Sequence, residues 1–430
     1  MLLQPTETHV GEELNPADKA SLFVLKREFL DLCGRGADLV RYRDSKFELL
    51  KQRWPSVKAL VTTGEVQTDI RHLEVHISER CQLACEYCRG QLREIPSREE
   101  VIDIERLLTT LDVIIAAGTT PSIRISGTIG DPLTHPQAAD LFRQLNVRGI
   151  PFGLTTNGIS LMKPGIFDGL LQASYLHISL DAGSEQTYRR LKKGPPGTFG
   201  RVLSNIDAFL AARRNKGATT RVVVSCLLQP ENGRELDTLA TTLDAMGVDL
   251  LEIKMQHYDH RRTMSREQID HAYTTLHALE SARANGHLQV VEVQDYDQAL
   301  VRLTASPQIR FSRCYSNLLG LNSTIDPRGA IQTCCQYYQS TLGRQGNIGD
   351  GILGEWRGAA RRNILNGDPR LHCISCSPSD EYVNRFVEVL RSMYQVEPAS
   401  LEWAETVMSG APISLAPGGA RSSLVAHNAA

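Results

Sequence analysis

The sequence has little imbalance of charge and few aromatic residues. Its 430 residues include 47 Lys and Arg against 49 Asp and Glu, a formal net charge of −2, and 6% are aromatic. This balance excludes a strongly basic nucleic-acid-binding protein, and 41% hydrophobic residues exclude wholesale disorder. The length favours two or three domains, or one large α/β unit with an appendage.

A long hydrophobic run is also missing. No stretch reaches the roughly 18 apolar residues that a membrane-spanning helix needs. The first residues, MLLQPTETHVGEEL, carry acids early and no apolar segment after a basic start, unlike a secretory signal. We therefore expect a cytoplasmic protein without a membrane partner.

What the sequence does contain is ten cysteines, most of them clustered. Three lie within 81–88 and five within 314–376. A disulfide framework is typical of short secreted chains, so it is the less favoured interpretation. Clustered thiols in a cytosolic chain more often bind metal or do redox chemistry. Cys33 stands apart, in a predicted N-terminal helix, and is expected to be a core residue.

Short β-branched runs alternate with amphipathic stretches between residues 73 and 256. The predicted strands are 73–78, 122–127, 152–158, 175–181, 221–228 and 250–256. The predicted helices between them include 102–117, 138–147, 200–215 and 235–246. This alternation indicates parallel βαβ units, whose ligands bind at the C-terminal ends of the strands.

The chain divides into four predicted parts. Residues 1–71 form a helical N-terminal preface, and 72–300 carry the strand–helix alternation. Residues 301–395 are rich in Gly, Cys and Asn up to a closing helix at 381–395, and 396–430 form a partly disordered tail. Since residues 301–380 contain few apolar runs, we expect bonds to a ligand to stabilise them.

The first cysteine cluster follows the first predicted strand directly. Cys81, Cys85 and Cys88 therefore lie at the mouth of the sheet. Three thiolates on one loop suit three irons of a [4Fe–4S] cluster and leave the fourth iron open to a small molecule. Zinc is the alternative, but a structural zinc site closes with four ligands.

Four motifs in order resemble the radical S-adenosylmethionine (SAM) superfamily. The CX3CX2C loop has an aromatic residue before its last cysteine. SGTIGDP at 126–132 takes the place of the family's GGEP motif, with Asp131 for Glu and two extra residues. TTNG at 155–158 and SLD at 179–181 end the third and fourth predicted strands as the family's motifs do.

This resemblance implies a SAM site and radical chemistry. The Tyr87 backbone would meet the adenine, Gly127 and Gly130 the methionine amine, and Ser179 the ribose. The full set of implied SAM-binding residues is Tyr87, Gly127, Gly130, Asp131, Asn157, Ser179, Arg189 and Arg190, with one of the arginines holding the carboxylate as a fork. An electron from the cluster would cleave SAM to methionine and a 5′-deoxyadenosyl radical, which abstracts a hydrogen atom from a C–H bond.

The second cysteine cluster resembles the opening of the SPASM appendage of radical SAM enzymes. The resemblance assigns one auxiliary [4Fe–4S] cluster, as in the shorter twitch version, to Cys314, Cys334, Cys373 and Cys376. Zinc on the same four thiolates is the alternative, and the adjacent Cys335 is expected to be a spare small residue. The predicted fold class is α/β: a partial (β/α)6 TIM-like barrel with a small C-terminal cysteine-rich iron–sulfur domain.

Cys226, near the end of the fifth predicted strand, bears on the reaction. It is either a buried small side chain or a thiol that returns a hydrogen atom to a substrate radical. The second interpretation favours an epimerase of a sugar or aminocyclitol-type natural product, as in antibiotic biosynthesis. The alternatives are a dehydrogenase that oxidises an alcohol through the auxiliary cluster, a maturase of ribosomal peptides, and a binding protein without catalysis.

The expected partners are a small-molecule substrate and an electron donor such as flavodoxin or ferredoxin, with no nucleic acid. A peptide is the alternative substrate. A dehydrogenase would also need a base, for which Lys254 and His257 are the nearest candidates. The candidates for polar contacts to the substrate are His177, Gln229, Glu252, Lys254, Gln256 and His257. The alternative for each is a side chain that is solvated or paired within the core.

Overall fold

A computed structural model of the chain describes most of its residues. The described ranges are 16–40, 46–66, 69–88, 99–255, 264–282, 286–292, 309, 311–337, 344–349, 351–358, 366–373 and 376–409. Among them, no helix combines the length and the apolar character that crossing a membrane requires.

One mixed sheet of ten strands organises the structure. Its strands are β1 His72–His76, β2 Ser122–Ser126, β3 Phe152–Thr156, β4 Tyr175–Ser179, β5 Arg221–Leu228, β6 Leu250–Met255, β7 Gln289–Glu292, β8 Thr324–Ile325, β9 Ala330–Gln332 and β10 Arg344–Asn347. Their order is β10-β9-β8-β1-β2-β3-β4-β5-β6-β7. All six predicted strands are confirmed, whereas β7 to β10 were not predicted.

Helices connect the parallel strands, as βαβ units require. The helices are α1 Pro16–Val40, α2 Lys46–Gln52, α3 Trp54–Thr62, α4 Ile104–Ala116, α5 Ala138–Val147, α6 Ile166–Leu170, α7 Glu185–Lys192, α8 Thr198–Lys216, α9 Leu236–Met246, α10 Arg266–Ala282, α11 Tyr315–Leu318, α12 Ile352–Arg357, α13 Pro369–His372, α14 Pro378–Val396 and α15 Ser400–Met408. Side-chain caps fix several of their starts: Asp103 accepts from the Arg106 amide at α4, and Ser184 from the Thr187 amide at α7.

Strands β1 to β7 run parallel in chain order, and the C-terminal strands extend the same sheet. β8 pairs in parallel with β1, so that Glu74 lies opposite Thr324, and β9 and β10 follow antiparallel. The fold is therefore the predicted α/β type with a sheet typical of a partial barrel. The C-terminal segment joins that sheet through the backbone of β1.

The two faces of the sheet differ in chemistry because side chains alternate along each strand. One face, which we call the helix face, carries apolar residues such as Val222, Val224 and Leu228 that belong to the main hydrophobic core. The other, which we call the interior face, carries Glu74 and His76 on β1. Polar residues on the interior face are a first indication of where chemistry takes place.

A second hydrophobic core is built from both ends of the described chain. Residues of α1, α2 and α3 pack against α14 and α15, and the rings of Phe29 and Phe386 lie 4.9 Å apart. Lys46 on α2 forms a buried ion pair with Asp380 on α14. The helices of the predicted N-terminal preface thus share one hydrophobic core with the C-terminal helices.

Part of the predicted tail, 396–430, is helical. α15 occupies residues 400–408, and its Leu401 and Ala404 are buried in the second core. Residues 410–430 lie outside the described residues.

Candidate active site

The loop that carries the first three cysteines lies at the C-terminal end of β1 and is held by α7. The Ala84 amide donates to the Lys192 carbonyl at 3.3 Å, and the Glu86 amide to the Leu191 carbonyl at 3.0 Å. Within the loop, the Cys88 amide donates to the Cys85 carbonyl at 3.0 Å. The C-terminal turn of α7 therefore fixes the position of the cysteine loop.

The three thiols of this loop are neighbours. Burial raises the pKa of Cys81 to about 11 and that of Cys85 to about 12, and the charge of Cys88 adds to both shifts. Within the described residues, no group of three or more His, Cys, Asp or Glu side chains is arranged so that it could hold a metal ion. Three adjacent half-buried thiols on one loop, at the sheet edge where ligands bind, nevertheless fit the donor set of an open iron–sulfur cluster.

Asp131, the predicted amine contact, is a buried acceptor for this chain's own donors. Its carboxylate accepts from the Leu133 amide at 3.0 Å, the Thr156 hydroxyl at 2.8 Å and the Asn157 amide at 2.6 Å. Burial raises its pKa in spite of these bonds. The carboxylate thus ties the end of β2 to the end of β3, and its contact with SAM stays a prediction.

Gly127 and Gly130 are required by the fold of their own loop. A Cβ at Gly127 would lie 2.1 Å from the carbonyl oxygen of Gly130, and one at Gly130 would lie 2.2 Å from the carbonyl oxygen of Ser78. No side chain fits at such distances. Backbone atoms therefore occupy the space next to both glycines that a side chain would need. The approach of SAM to these glycines stays a prediction.

Beside the cysteine loop lies a buried ionic network. The Tyr87 hydroxyl donates to Asp181 at 2.7 Å, and the Lys192 ammonium lies 2.5 Å from the same carboxylate and 3.0 Å from the Ser179 carbonyl. Burial by itself would lower the pKa of Lys192, but Asp181 and then Cys85 raise it above its usual range. Asp181 also has a φ of 59°, a conformation that is uncommon for a residue other than glycine.

The sequence patterns did not indicate Lys192 as a site residue and assigned no role to Asp181. Asp181 was noted only as the end of a motif, and Lys192 lies in a helix that was not predicted. The signal that would have found the pair is the motif aspartate itself, because a charge buried at a strand end needs a partner of opposite charge.

Arg189 and Arg190 lie on the exposed side of α7, where they line a shallow surface pocket with Glu185 and Lys193. Arg190 pairs with Glu231 at 3.2 Å. These positions do not bring either guanidinium into the buried network, so the predicted carboxylate fork stays a prediction.

Asn157 and Ser179 lie nearer to the network. The Asn157 side chain donates to the Gln82 amide oxygen at 3.1 Å and lies 3.7 Å from the Cys81 sulfur. The Ser179 hydroxyl lies 3.5 Å from that of Ser225 on the adjacent strand. The ends of β3, β4 and β5 therefore meet around the cysteine loop, as the motif order predicted.

A line of ionisable groups runs along the interior face between β4 and β6. His177 Nε2 lies 3.2 Å from Glu252, and the Lys254 ammonium lies 3.6 Å from the same carboxylate. His177 and Glu252 are buried, and Lys254, one layer closer to the strand ends, is 26% exposed. Gln229, also predicted, is buried and donates to the Leu228 carbonyl, whereas Gln256 and His257 lie outside the described residues.

Cys226 lies on the helix face. It shares that side of β5 with Val222, Val224 and Leu228 in the main core, while the alternating Leu227 packs with Tyr87 and Leu191. Burial raises the pKa of its thiol well above the usual value. The donor role of Cys226 stays a prediction, and its placement speaks against it.

The second set of thiols also converges. Burial raises the pKa of Cys314 to about 11, and Cys373 adds to the rise; burial likewise raises that of Cys376, with further contributions from Cys314 and Cys334. Cys335 is a neighbour of Cys334 and raises its pKa. The number and type of these ligands suit one iron–sulfur or zinc site, but among the described residues they do not form a group that could hold a metal ion, so the auxiliary site stays a prediction.

Comparison with known proteins agrees with these motifs. Residues 75–243 match the Radical SAM superfamily. A GTP 3′,8-cyclase of Pseudomonas fluorescens (strain Pf0-1) is 26% identical over 230 residues, which cover 49% of this chain and 65% of that protein. A tungsten-containing aldehyde ferredoxin oxidoreductase cofactor-modifying protein of Pyrococcus furiosus is 28% identical over 194 residues, 42% of this chain and 50% of that one.

Solved structures show the same fold at low identity. Streptococcus suis SuiB bound to S-adenosylmethionine superposes with a TM-score of 0.54 at 14% identity, covering 73% of this chain and 70% of SuiB. anSMEcpe with bound AdoMet superposes with a TM-score of 0.51 at 14% identity, covering 78% and 99%. Residues 75–243 are therefore similar to the radical SAM superfamily in sequence, and the fold of the chain agrees with that similarity. The chain spans between 41% and 65% of the length of the curated relatives that it matches.

Proposed function

We propose that this protein is a radical SAM enzyme that cleaves SAM reductively and abstracts a hydrogen atom from a substrate C–H bond. The observation that carries the proposal is the loop of Cys81, Cys85 and Cys88, fixed at the end of β1 inside the matched domain. SAM and the cluster, when bound, supply one-electron chemistry that amino acid side chains cannot. The chain supplies the thiolates, the buried network beside them and a substrate space at the ends of the strands.

The substrate space is proposed at the interior face, above Glu252. Lys254 on β6 is in register with Leu227 on β5, and Leu227 packs against Tyr87 of the cysteine loop. The Lys254 ammonium is therefore proposed to lie close to the site of hydrogen abstraction. Glu252 and His177 continue the line of ionisable groups below it. These groups can hold hydroxyl or amino groups of a polar substrate and accept a proton from it.

The reaction we infer is an oxidation. The substrate would lose one hydrogen atom from carbon to the 5′-deoxyadenosyl radical and one proton to the Lys254–Glu252 pair. The remaining electron would pass to an auxiliary cluster, if the second set of cysteines holds one. The product would be two hydrogens lighter than the substrate. An external donor of flavodoxin or ferredoxin type would supply the electron that starts the reaction.

Epimerisation of a sugar or aminocyclitol is the alternative, and it requires a hydrogen donor at the substrate. The predicted donor, Cys226, lies on the helix face, which favours oxidation over inversion. Modification of a peptide is a further alternative. We therefore propose a small, polar molecule as the substrate. Turnover of a peptide would exclude this proposal.

Iron content and SAM cleavage test the proposal. After anaerobic reconstitution, we expect about eight irons per chain, four for each cysteine set. Replacing Cys81, Cys85 and Cys88 together by Ala should leave about four irons and abolish formation of 5′-deoxyadenosine. Cys335→Ala, which changes a thiol outside both sets, should keep both properties. Stoichiometric zinc without iron in the wild-type protein would contradict the assignment.

A further inference from the structure

Two buried polar side chains of α7 lie on the side of the helix that contacts the cysteine loop. Tyr188 and Lys192 are four residues apart and so share one face of the helix. Tyr188 is 0% and Lys192 is 3% exposed. Polar groups at this depth require a partner. Lys192 has one in Asp181, whereas the Tyr188 hydroxyl has none among the described residues.

The hydroxyl of Tyr188 has no hydrogen-bond partner among the residues that the structure describes. Its ring lies against the cysteine loop: a Cβ at Gly194 would lie 3.1 Å from the Tyr188 ring and 3.2 Å from the Leu83 side chain. Burial raises the pKa of Tyr188 to about 12, and the thiols of Cys85 and Cys81 contribute. The hydroxyl therefore keeps its proton at neutral pH and is a buried hydrogen-bond donor without a partner in the described residues, on a ring close to the cysteine loop.

The ammonium of Lys192 is a positive charge at the same place. It pairs with Asp181, and the carbonyl of Lys192 accepts from the Ala84 amide of the cysteine loop. The ammonium also lies 5.8 Å from the centre of the Tyr87 ring. It is thus a cation beside the aromatic residue that precedes Cys88.

We propose that Tyr188 donates a hydrogen bond to the iron–sulfur cluster held by Cys81, Cys85 and Cys88, and that Lys192 stabilises the reduced form of that cluster. This inference rests on the proposed function. Reduction adds one negative charge to the cluster, and both a donated hydrogen bond and a nearby cation favour the more negative state. Both residues would therefore raise the midpoint potential of the cluster and ease its reduction.

The midpoint potential of the reconstituted wild-type protein and its variants tests this inference. The relevant cluster is identified as the one whose electron paramagnetic resonance signal changes when SAM is added. In Tyr188→Phe, we expect the ratio of reduced to oxidised cluster at a fixed potential to fall about tenfold, equivalent to about 59 mV for one electron. The melting temperature of the iron-free variant should not fall, because the lost hydroxyl has no protein partner in the described residues.

Lys192 is tested with two substitutions and a matched control. Lys192→Met should lower the midpoint potential, and Lys192→Arg, which keeps the charge, should restore most of it. Lys216→Met removes an exposed charge that pairs with Asp168 on α6, and should leave the potential unchanged.

The outcomes separate the two levels of inference. An unchanged potential in Tyr188→Phe overturns the hydrogen bond, and an unchanged potential in Lys192→Met overturns the charge effect. A wild-type protein that shows no SAM-responsive cluster overturns the proposed function together with both. A wild-type protein that cleaves SAM while all variants keep its potential leaves the proposed function intact and rejects this inference alone.

Discussion

Individual residues at the site owe their roles to which face of a strand they occupy. Cys226 and Leu227 are adjacent in sequence, yet Cys226 lies in the core beneath the helices and Leu227 lies against Tyr87. A shift of one residue in the assumed phase of a strand exchanges the two faces. The role of a single thiol near a strand end is therefore decided by the phase of β5.

We expect Cys226→Ala to keep catalysis. The substitution removes only a sulfur from the apolar layer, at a cost of about 1–2 kcal/mol in stability. On any substrate that raises 5′-deoxyadenosine formation above its uncoupled rate, the variant should give the wild-type product. When the reaction is carried out in heavy water, mass spectrometry of the product should find no deuterium at the reacting carbon. Loss of product with continued 5′-deoxyadenosine formation, or one deuterium in the wild-type product, would instead restore the epimerase hypothesis.

Sequence patterns predicted the strands and the places where thiols cluster, and what they missed has physical reasons. Clustered cysteines and strand-end motifs are local features of the sequence, whereas the assignment of the cysteines to iron–sulfur clusters rests on the resemblance to a family. The phase of β5 was not predictable, because residues 222–228 are apolar on both faces except for Ser225 and so show no alternation. α7 escaped prediction because only Tyr188 and Leu191 of its eight residues are apolar.

Among the structural elements, α14 links the second set of cysteines to the N-terminal helices. It begins just after Cys376, and its Asp380 accepts bonds from Ser316 and Asn322 as well as pairing with Lys46. Burial by itself would raise the pKa of Asp380, but Lys46 and these donors lower it. One carboxylate thus joins three separate segments of the chain.

We predict that Lys46→Met destabilises the protein by about 3 kcal/mol, because it leaves a buried carboxylate without its cation. Thermal or urea denaturation measures the loss. The matched control is Lys58→Met, which removes an exposed pair with Glu405 and should cost less than about 1 kcal/mol. Equal stability of the two variants would show that the buried pair does not hold α2 and α14 together.

At the scale of the whole molecule, the C-terminal segment has two kinds of support. The sequence suggested that residues 301–380 depend on ligand bonds because they contain few apolar runs. The structure adds a backbone support that a two-residue strand could not reveal in advance: β8 pairs with β1, and the Glu74 amide donates to the Ser323 carbonyl at 2.8 Å. Part of the segment is therefore an integral piece of the main sheet.

Loss of the second metal site should consequently loosen only part of this segment. In Cys373→Ala/Cys376→Ala, we expect hydrogen exchange to rise at residues 344–358 and 366–373, where the hypothesis gives ligand bonds a large share of the stability. Residues 321–332 should keep their protection, since β8 is bonded to β1 and its neighbours Leu321 and Ile331 are buried. Mass spectrometry of peptides after exchange measures both regions, and Cys335→Ala should leave both unchanged. Uniform exposure of residues 311–373 in the double variant would show that the ligands, and not the sheet, hold the whole segment.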